Sequence, residues 1–332
     1  MTRIFSGVKP TGHLTLGNYL GAVRQWVAAD QEAGDALFCV VDLHALTVEH
    51  DPARVRRLSR QAATLLLAAG LRPDRCTLFV QSHVDEHTRL AYLLECTATD
   101  GELRRMIQYR EKAAKAQGAG EGVRLSLLTY PVLMAADILA YRADEVPVGE
   151  DQRQHVELTR DLAVRFNQRY GHTFTVPRAT HPAVAARVMD LQDPTSKMGK
   201  SHESGAGIVY LLDEPGVIRK KVMRAVTDSG DDGVVYDRAE RPGVANLLDV
   251  LAACTGGEPE KLAAGYGRYG DLKRDVADAV VELLRPLRER HAELAADPGE
   301  VDRVLREGAG RARGLARPVV DRAYEAIGLL AP

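Results

Sequence analysis

Arg3–Ala22 reads RIFSGVKPTGHLTLGNYLGA. A short β-rich apolar run from Arg3 to Val8 turns through Pro10 and Gly12 and leads to Gly17, Asn18 and Gly21 at the head of a helix expected over Asn18–Ala29. A strand that feeds a helix through small residues leaves free N–H groups and a partial positive charge at the helix start, which suits a bound phosphate. Glycines there let the main chain approach a ligand closely. The same residues also serve an ordinary tight strand-to-helix turn whose small side chains let the helix pack on the sheet. Glycines alone do not separate these two readings. The pattern is neither GxGxxG nor a P-loop, so the usual dinucleotide and NTPase signatures are missing.

Working outward, Ala36–Asp42 (ALFCVVD) and Cys76–Gln81 (CTLFVQ) repeat the strand signal. Between them Pro52–Ala69 shows apolar residues at helical spacing, with Asp51 as N-cap and Pro52 at the first helical position. Strand, helix, strand, helix, strand at this interval predicts an α/β fold with a doubly wound, Rossmann-like parallel sheet. Arg89–Lys115 has helical periodicity and runs into a flexible Gly/Ala loop over Gln117–Gly122. Tyr130–Tyr141 reads as an apolar helix starting at Pro131. Val146–Val148 is a short strand, and Glu150–Tyr170 is a long amphipathic helix ended by Gly171.

Polar, small and charged residues over Asp190–Gly207 mark a mobile loop and a domain boundary. Helices are expected beyond it at Val244–Thr255, Asp271–Ala296 and Glu300–Ile327. The expected organisation is a catalytic domain over residues 1–205 and a smaller all-helical region over 206–332, whose last helix packs back on the first domain.

The 332 residues are 45% hydrophobic and 27% charged, enough for a large core, and the net charge of −2 rules out a globally basic nucleic-acid binder but not a local basic patch. Cys39, Cys76, Cys96 and Cys254 stand singly, with no CxxC pair, which argues against a structural zinc or a disulfide framework. No apolar stretch is long enough to span a bilayer, and MTRIFSGVKP does not read as a secretory signal, so a cytoplasmic location is expected.

Two further features carry chemistry. Asp193–Ser201, DPTSKMGKS, sets Lys197 and Lys200 three apart in a glycine-containing loop. Two mobile ammonium groups are what a leaving pyrophosphate needs, although a lysine pair in a loop is more often plain surface. Asp137 stands in an otherwise apolar helix, where a carboxylate must find a donor. Either an Arg from another helix pairs with it, or it accepts a hydrogen bond from a ligand. Indole, with one N–H donor and no acceptor, is the complementary ligand. Tyr130, Met134, Asp137 and Tyr141 fall at helical offsets, so they share a face and together are expected to line a pocket.

These pieces occur in a telling order. PTGHLTLGN followed by KMGKS resembles the HIGH and KMSKS signatures of the class I aminoacyl-tRNA synthetases. GNYLGA (Gly17–Ala22), VDLHALT (Val41–Thr47), LLTYPVLMAADILAY (Leu127–Tyr141), VPVGEDQRQHVELTRDLAVRFN (Val146–Asn167) and VTDS (Val226–Ser229) narrow the resemblance to the bacterial tryptophanyl branch. Some positions depart from the pattern. Thr15, Leu16, Gly17 and Asn18 fill the HIGH positions, so both histidines are missing, and His13 stands two places too early to be the first of them. Gly199 replaces a serine, and Lys9 stands where these enzymes generally have glutamine, changing the charge of the pocket.

The resemblance implies activation of L-tryptophan with ATP and Mg²⁺, then transfer to tRNA(Trp), by a cytoplasmic homodimer whose C-terminal helical region, which carries Arg285, Arg288, Arg290, Arg311, Arg313, Arg317 and Arg322, reads the anticodon. Without the resemblance, arginines interleaved with acids read as a solvated, salt-bridged face. It further implies apolar indole walls from Phe5, Met134, Val146 and Val148, with Asp137 on the indole N–H. Tyr130 and Gln152 would hold the α-amino group, with His44 near the head group. ATP would meet Lys9, Thr11, Gly12, Thr15, Gly17, Asn18, Gly149, Asp151, Lys197, Met198, Lys200 and Ser201, with Lys112, Lys197 and Lys200 as the catalytic cations. The competing readings are a tyrosine-charging relative, a tRNA-independent nucleotidyltransferase, and a non-enzymatic regulator that binds tryptophan or RNA.

Overall fold

The computed structural model describes residues 2–27, 35–180, 188–199, 205–228 and 233–330. Within them five parallel strands form one sheet in the order β3-β2-β1-β4-β5, with β1 at Ile4–Val8, β2 at Ala36–Val40, β3 at Cys76–Val80, β4 at Glu145–Pro147 and β5 at Arg178–Thr180. β1 pairs along its whole length with β2, from Ile4 opposite Ala36 to Val8 opposite Val40, and its other side meets β4 at Glu145. The doubly wound sheet expected from the sequence is therefore present. Its strand order reverses direction at β1, and a crevice opens at such a reversal beyond the carboxyl ends of the strands.

Both faces of the sheet are covered, as a parallel sheet requires. Alternate residues feed two cores: Phe38, Val40, Leu78 and Val80 join one, while Leu37, Cys39, Phe79 and Phe5 join the other. The first core runs on into Leu247, Leu284 and Val304 of the C-terminal helices without a break. Helix Tyr269–Ala296 packs on helices Pro52–Ala68, Pro215–Met223 and Pro242–Thr255, and helix Pro298–Ala326 lies along β3.

Gly308 makes that last approach feasible, because a Cβ there would overlap the Leu78 carbonyl. Gly308→Ala should therefore push the helix off the sheet and destabilise the chain by about 1–3 kcal/mol, measured by denaturant unfolding; an unchanged midpoint would show that the helix shifts freely. Three arginines from the region expected to read RNA fasten the same helix. Arg311 donates to the carbonyls of Pro73 and Cys76, Arg313 to that of His83 and Arg322 to that of His172. Arg285 and Arg290 are spent on neighbouring glutamates, and Arg317 on Asp321.

Three elements differ from expectation. The segment of helical periodicity over Arg89–Lys115 is divided among three helices, Glu86–Glu95, Asp100–Arg105 and Ile107–Gly118. Thr99 and Glu102 form a reciprocal capping box that starts the second, and extended Met106 separates it from the third. The helix carrying Asp137 starts at Leu125, not Pro131, so proline sits inside it. The hydrogen bond lost at Pro131 is offset by burial of Val132, Ala135, Ala136, Ile138 and Leu139, all without exposed surface. Strand β5, with only three residues, gave no recognisable pattern.

Candidate active site

A cavity of about 330 Å³ opens at the carboxyl ends of β1 and β4, where the strand order reverses. It collects residues far apart in sequence: Phe5 and Lys9 from β1 and its exit, His44 after β2, Lys112, then Tyr130, Met134 and Asp137 from helix Leu125–Leu139, and Val146, Val148, Gly149 and Gln152 around β4. Its walls are mainly apolar, and Asp137, Lys9 and Lys112 bring charge to its lining. Tyr141, read with this face, does not line the cavity. It follows the end of the helix and lies wholly buried behind the wall, stacked on Phe5 with ring centroids 5.5 Å apart.

Asp137 is 1% exposed and has no arginine partner among the described residues. His44 Nε2 lies 2.8 Å from its Oδ2, while Gln81 Nε2 donates to Oδ1 at 2.7 Å and His87 Nδ1 lies 2.6 Å from that same oxygen. Burial opposes ionisation of the carboxyl, but the hydrogen bonds from His44 and His87 outweigh it and hold the group below its usual range. A carboxylate has about four acceptor positions. Among the described residues three are filled, and the remaining one is on Oδ2. His44, expected near a head group, thus has its Nε2 engaged with Asp137.

Tyr130 crosses the cavity with its hydroxyl 2.8 Å from His155 Nε2, and burial raises its pKa. His155 is also buried, and its pKa is pushed down to about 4 by burial and by the charge of Lys112. The ammonium of Lys112 lies 5.4 Å from the Tyr130 ring centre and donates to Gln108 Oε1 at 2.9 Å. Gln108 Nε2 in turn reaches Asp151 Oδ2 at 3.3 Å, and the Gln152 amide donates to the same oxygen at 2.9 Å. Sequence reasoning missed Gln108, Gln81 and Trp26, all at or beside the cavity. Only the helical offset of Gln108 from Lys112, four residues on the same face, pointed to any of them.

Lys9 is largely buried and donates to Thr47 Oγ1 at 3.3 Å. Burial and then the nearby Lys112 lower its pKa to about 8. An unfolded lysine keeps its proton to about 10.4, so the folded chain binds fewer protons between these values and its stability rises with pH across that window. The cost of charging Lys9 is fully present below pH 8. Lys9→Gln should accordingly raise the melting temperature of the ligand-free chain at pH 7, with the gain shrinking toward pH 10; thermal scans at both pH values would reveal a constant or absent difference if this is wrong.

The first strand-to-helix turn and the lysine loop pack against each other. Thr15 Oγ1 accepts from Asn18 N at 3.2 Å while Asn18 Oδ1 accepts from Thr15 N at 3.0 Å, so both side chains cap the helix that starts at Leu16. A Cβ on Gly17 would stand 3.2 Å from the Met198 carbonyl. The Met198 side chain is 2% exposed and belongs to the core, so it anchors the loop bearing Lys197. Met198 N also bonds Val188 O at 3.0 Å. Thr11, Gly12, Thr15, Gly17, Asn18, Asp151, Lys197 and Met198 do not line the cavity, and Lys200 and Ser201 lie outside the described residues. His13 turns away from the cavity and bonds Gln61.

A doubly wound sheet with a cavity at its reversal point and a lysine loop anchored against the first turn has the architecture of a class I aminoacyl-tRNA synthetase. The family model described as tRNA synthetases class I (W and Y) matches residues 1–285, and the chain belongs to that family. It is 78% identical to tryptophan–tRNA ligase 1 of Streptomyces coelicolor over 332 residues, covering 100% of this chain and 98% of that one. Among solved structures it superposes on tryptophanyl-tRNA synthetase from Mycoplasma pneumoniae with a TM-score of 0.91 at 34% identity, covering 99% and 98% of the two chains. It also matches the Campylobacter jejuni tryptophanyl enzyme complexed with ADP and tryptophan, with a TM-score of 0.85, 30% identity and coverage of 99% and 100%.

Proposed function

We propose that the chain activates L-tryptophan with Mg-ATP and then transfers it to the 3′ end of tRNA(Trp). The observation that carries this reading is Asp137: a buried carboxylate in an otherwise apolar cavity with three protein donors and one open acceptor position. Indole supplies the single donor that such a wall needs, and Phe5, Met134, Val146 and Val148 supply the apolar contact. Tyr130 and Gln152 take the α-ammonium group. The amino-acid carboxylate then lies toward Lys9 and Lys112.

In the first step a carboxylate oxygen attacks the α-phosphorus, the bond to the β-phosphate breaks, and pyrophosphate leaves. In the second, a ribose hydroxyl of the tRNA terminus attacks the activated carbonyl and AMP leaves. Neither step needs a covalent protein nucleophile. Lys112, Lys197 and Lys200 face the charge that grows on the phosphates, and orientation does the rest. We assign ATP to the first turn, Gly149, Asp151 and the loop, activation to residues 1–205, and anticodon contact to 206–332, in a cytoplasmic homodimer.

Amino-acid-dependent exchange of labelled pyrophosphate into ATP, without tRNA, tests the reading. Exchange with tryptophan and not tyrosine is the expected result. Exchange with tyrosine alone would assign the cavity to the other substrate, and silence with both from folded, tryptophan-binding protein would make the chain a regulator.

A further inference from the structure

Behind the cavity wall runs a line of buried polar groups that the activation chemistry does not itself touch. His87, on helix Glu86–Glu95, has no exposed surface; its Nδ1 is 2.6 Å from Asp137 Oδ1 and its Nε2 is 2.7 Å from the Tyr141 hydroxyl. Tyr141 is equally buried and is held by aromatic contacts, stacked on Phe5 and edge-on to Phe79 at 5.6 Å. Neither His87 nor Tyr141 lines the cavity. An ionised carboxylate only accepts, so the His87 nitrogen facing it carries a proton. In the neutral ring the other nitrogen then accepts the Tyr141 hydroxyl proton, and the order of donation runs from Tyr141 through His87 to Asp137.

That order matters because a carboxylate with idle lone pairs is indiscriminate. It rotates toward whichever donor arrives, including water or a phenol. With His87 and Gln81 both on Oδ1 and His44 on Oδ2, Asp137 is held in plane and presents one acceptor position. We propose that His87 and Tyr141 are positioning and specificity-determining residues: they fix the tautomer and the plane through which Asp137 offers a single acceptor to the ring N–H of the amino-acid substrate. The proposal rests on the reading that Asp137 accepts from indole. Tyr141 anchors His87 from behind, and its ring also backs Phe5, so one residue sets both the polar and the flat apolar limits of the site.

The test separates the N–H from the shape. Binding of tryptophan and of 3-benzothienylalanine, which has sulfur in place of the ring N–H, is measured by calorimetry on the intact chain and on Tyr141→Phe, His87→Leu and His87→Asn. Tyr141→Phe keeps the ring and removes only the hydroxyl, so the test survives if His87→Leu fails to fold. Tryptophan should bind roughly 3- to 10-fold more weakly to Tyr141→Phe and about 10- to 100-fold more weakly to His87→Leu, while binding of the thiophene analogue stays within about twofold. His87→Asn, which returns a donor near the Nδ1 position, should recover part of the loss. In pyrophosphate exchange the change should fall on KM for tryptophan more than on kcat.

Parallel loss of both ligands, or no loss of either, would overturn the proposal. Equal affinities for the two ligands in the unaltered chain would instead show that Asp137 does not accept from the ring N–H, and would overturn the underlying reading with it.

Discussion

Asp137→Ala is expected to lower kcat/KM for tryptophan by roughly 10²- to 10⁴-fold and to erase most of the preference over phenylalanine, because a site built to hydrogen-bond a ring N–H rejects rings that lack it only while its acceptor is present. The size follows from what the carboxylate does in the ligand-free chain. It is buried, already ionised by its two histidines, and has one position left to fill. Phenylalanine leaves that position empty and forfeits a charge-assisted hydrogen bond. Removing the carboxylate also strands the donors on His44, Gln81 and His87, so the variant should melt at a lower temperature. Asp137→Asn keeps the volume and separates the two effects. Pyrophosphate exchange with tryptophan, phenylalanine and tyrosine, corrected for folded fraction, is the measurement. Undiminished discrimination in both variants would remove Asp137 from the specificity mechanism.

Lys197→Ala and Lys200→Ala should each slow activation about 10- to 1,000-fold with a much smaller change in tryptophan affinity, as expected for cations that meet charge developing on the leaving phosphates. The loop that carries Lys197 is tied to the core. Its Met198 is buried under the first turn, beside Gly17, and Asn246 from helix Pro242–Thr255 holds Met189 through both its amide N–H and its carbonyl. The loop is thus anchored to the core on the side that leads into Lys197 and Gly199. Single-turnover rates measured at saturating tryptophan and ATP would show the loss in the chemical step. A loss confined to KM for ATP would make these lysines ground-state binders.

Much of the fold was legible because it rests on local, short-range physics. Asp51 accepts from Ala53 N and Pro52 follows it, so the start of the helix Pro52–Ala68 follows from capping chemistry. Gly171, with φ of 90°, ends the helix Arg153–Tyr170 where a side chain would be strained. Three apolar runs at regular spacing pointed to β1, β2 and β3. Thr99 and Glu102 were a readable capping signal that the longer helical period hid. Pro131 misled in the opposite sense, since tertiary packing outweighs the local penalty there. β5 is three residues long and exists only because β4 lies beside it.

The chemistry divides along the same line. A carboxylate in an apolar helix requires a donor whatever the surroundings; residue type and spacing alone determined that much, along with the doubly wound sheet, whereas the lysine pair drew its phosphate reading from the motifs around it. Type and spacing left open whether Asp137 pairs with an arginine. Its actual partners come from positions 44, 81 and 87, on three segments whose spacing contains no common period, and only the sheet's strand order brings them to one carboxylate. Tyr141 shows the same limit from the other side: its helical offset put it with the pocket residues, but the helix ends two residues earlier and the chain turns the ring into the core. Local hydrogen bonding and hydrophobic period are written along the chain, whereas the number of acceptor positions left open on a buried carboxylate depends on every segment that packs against it, and that was decided only by the tertiary structure.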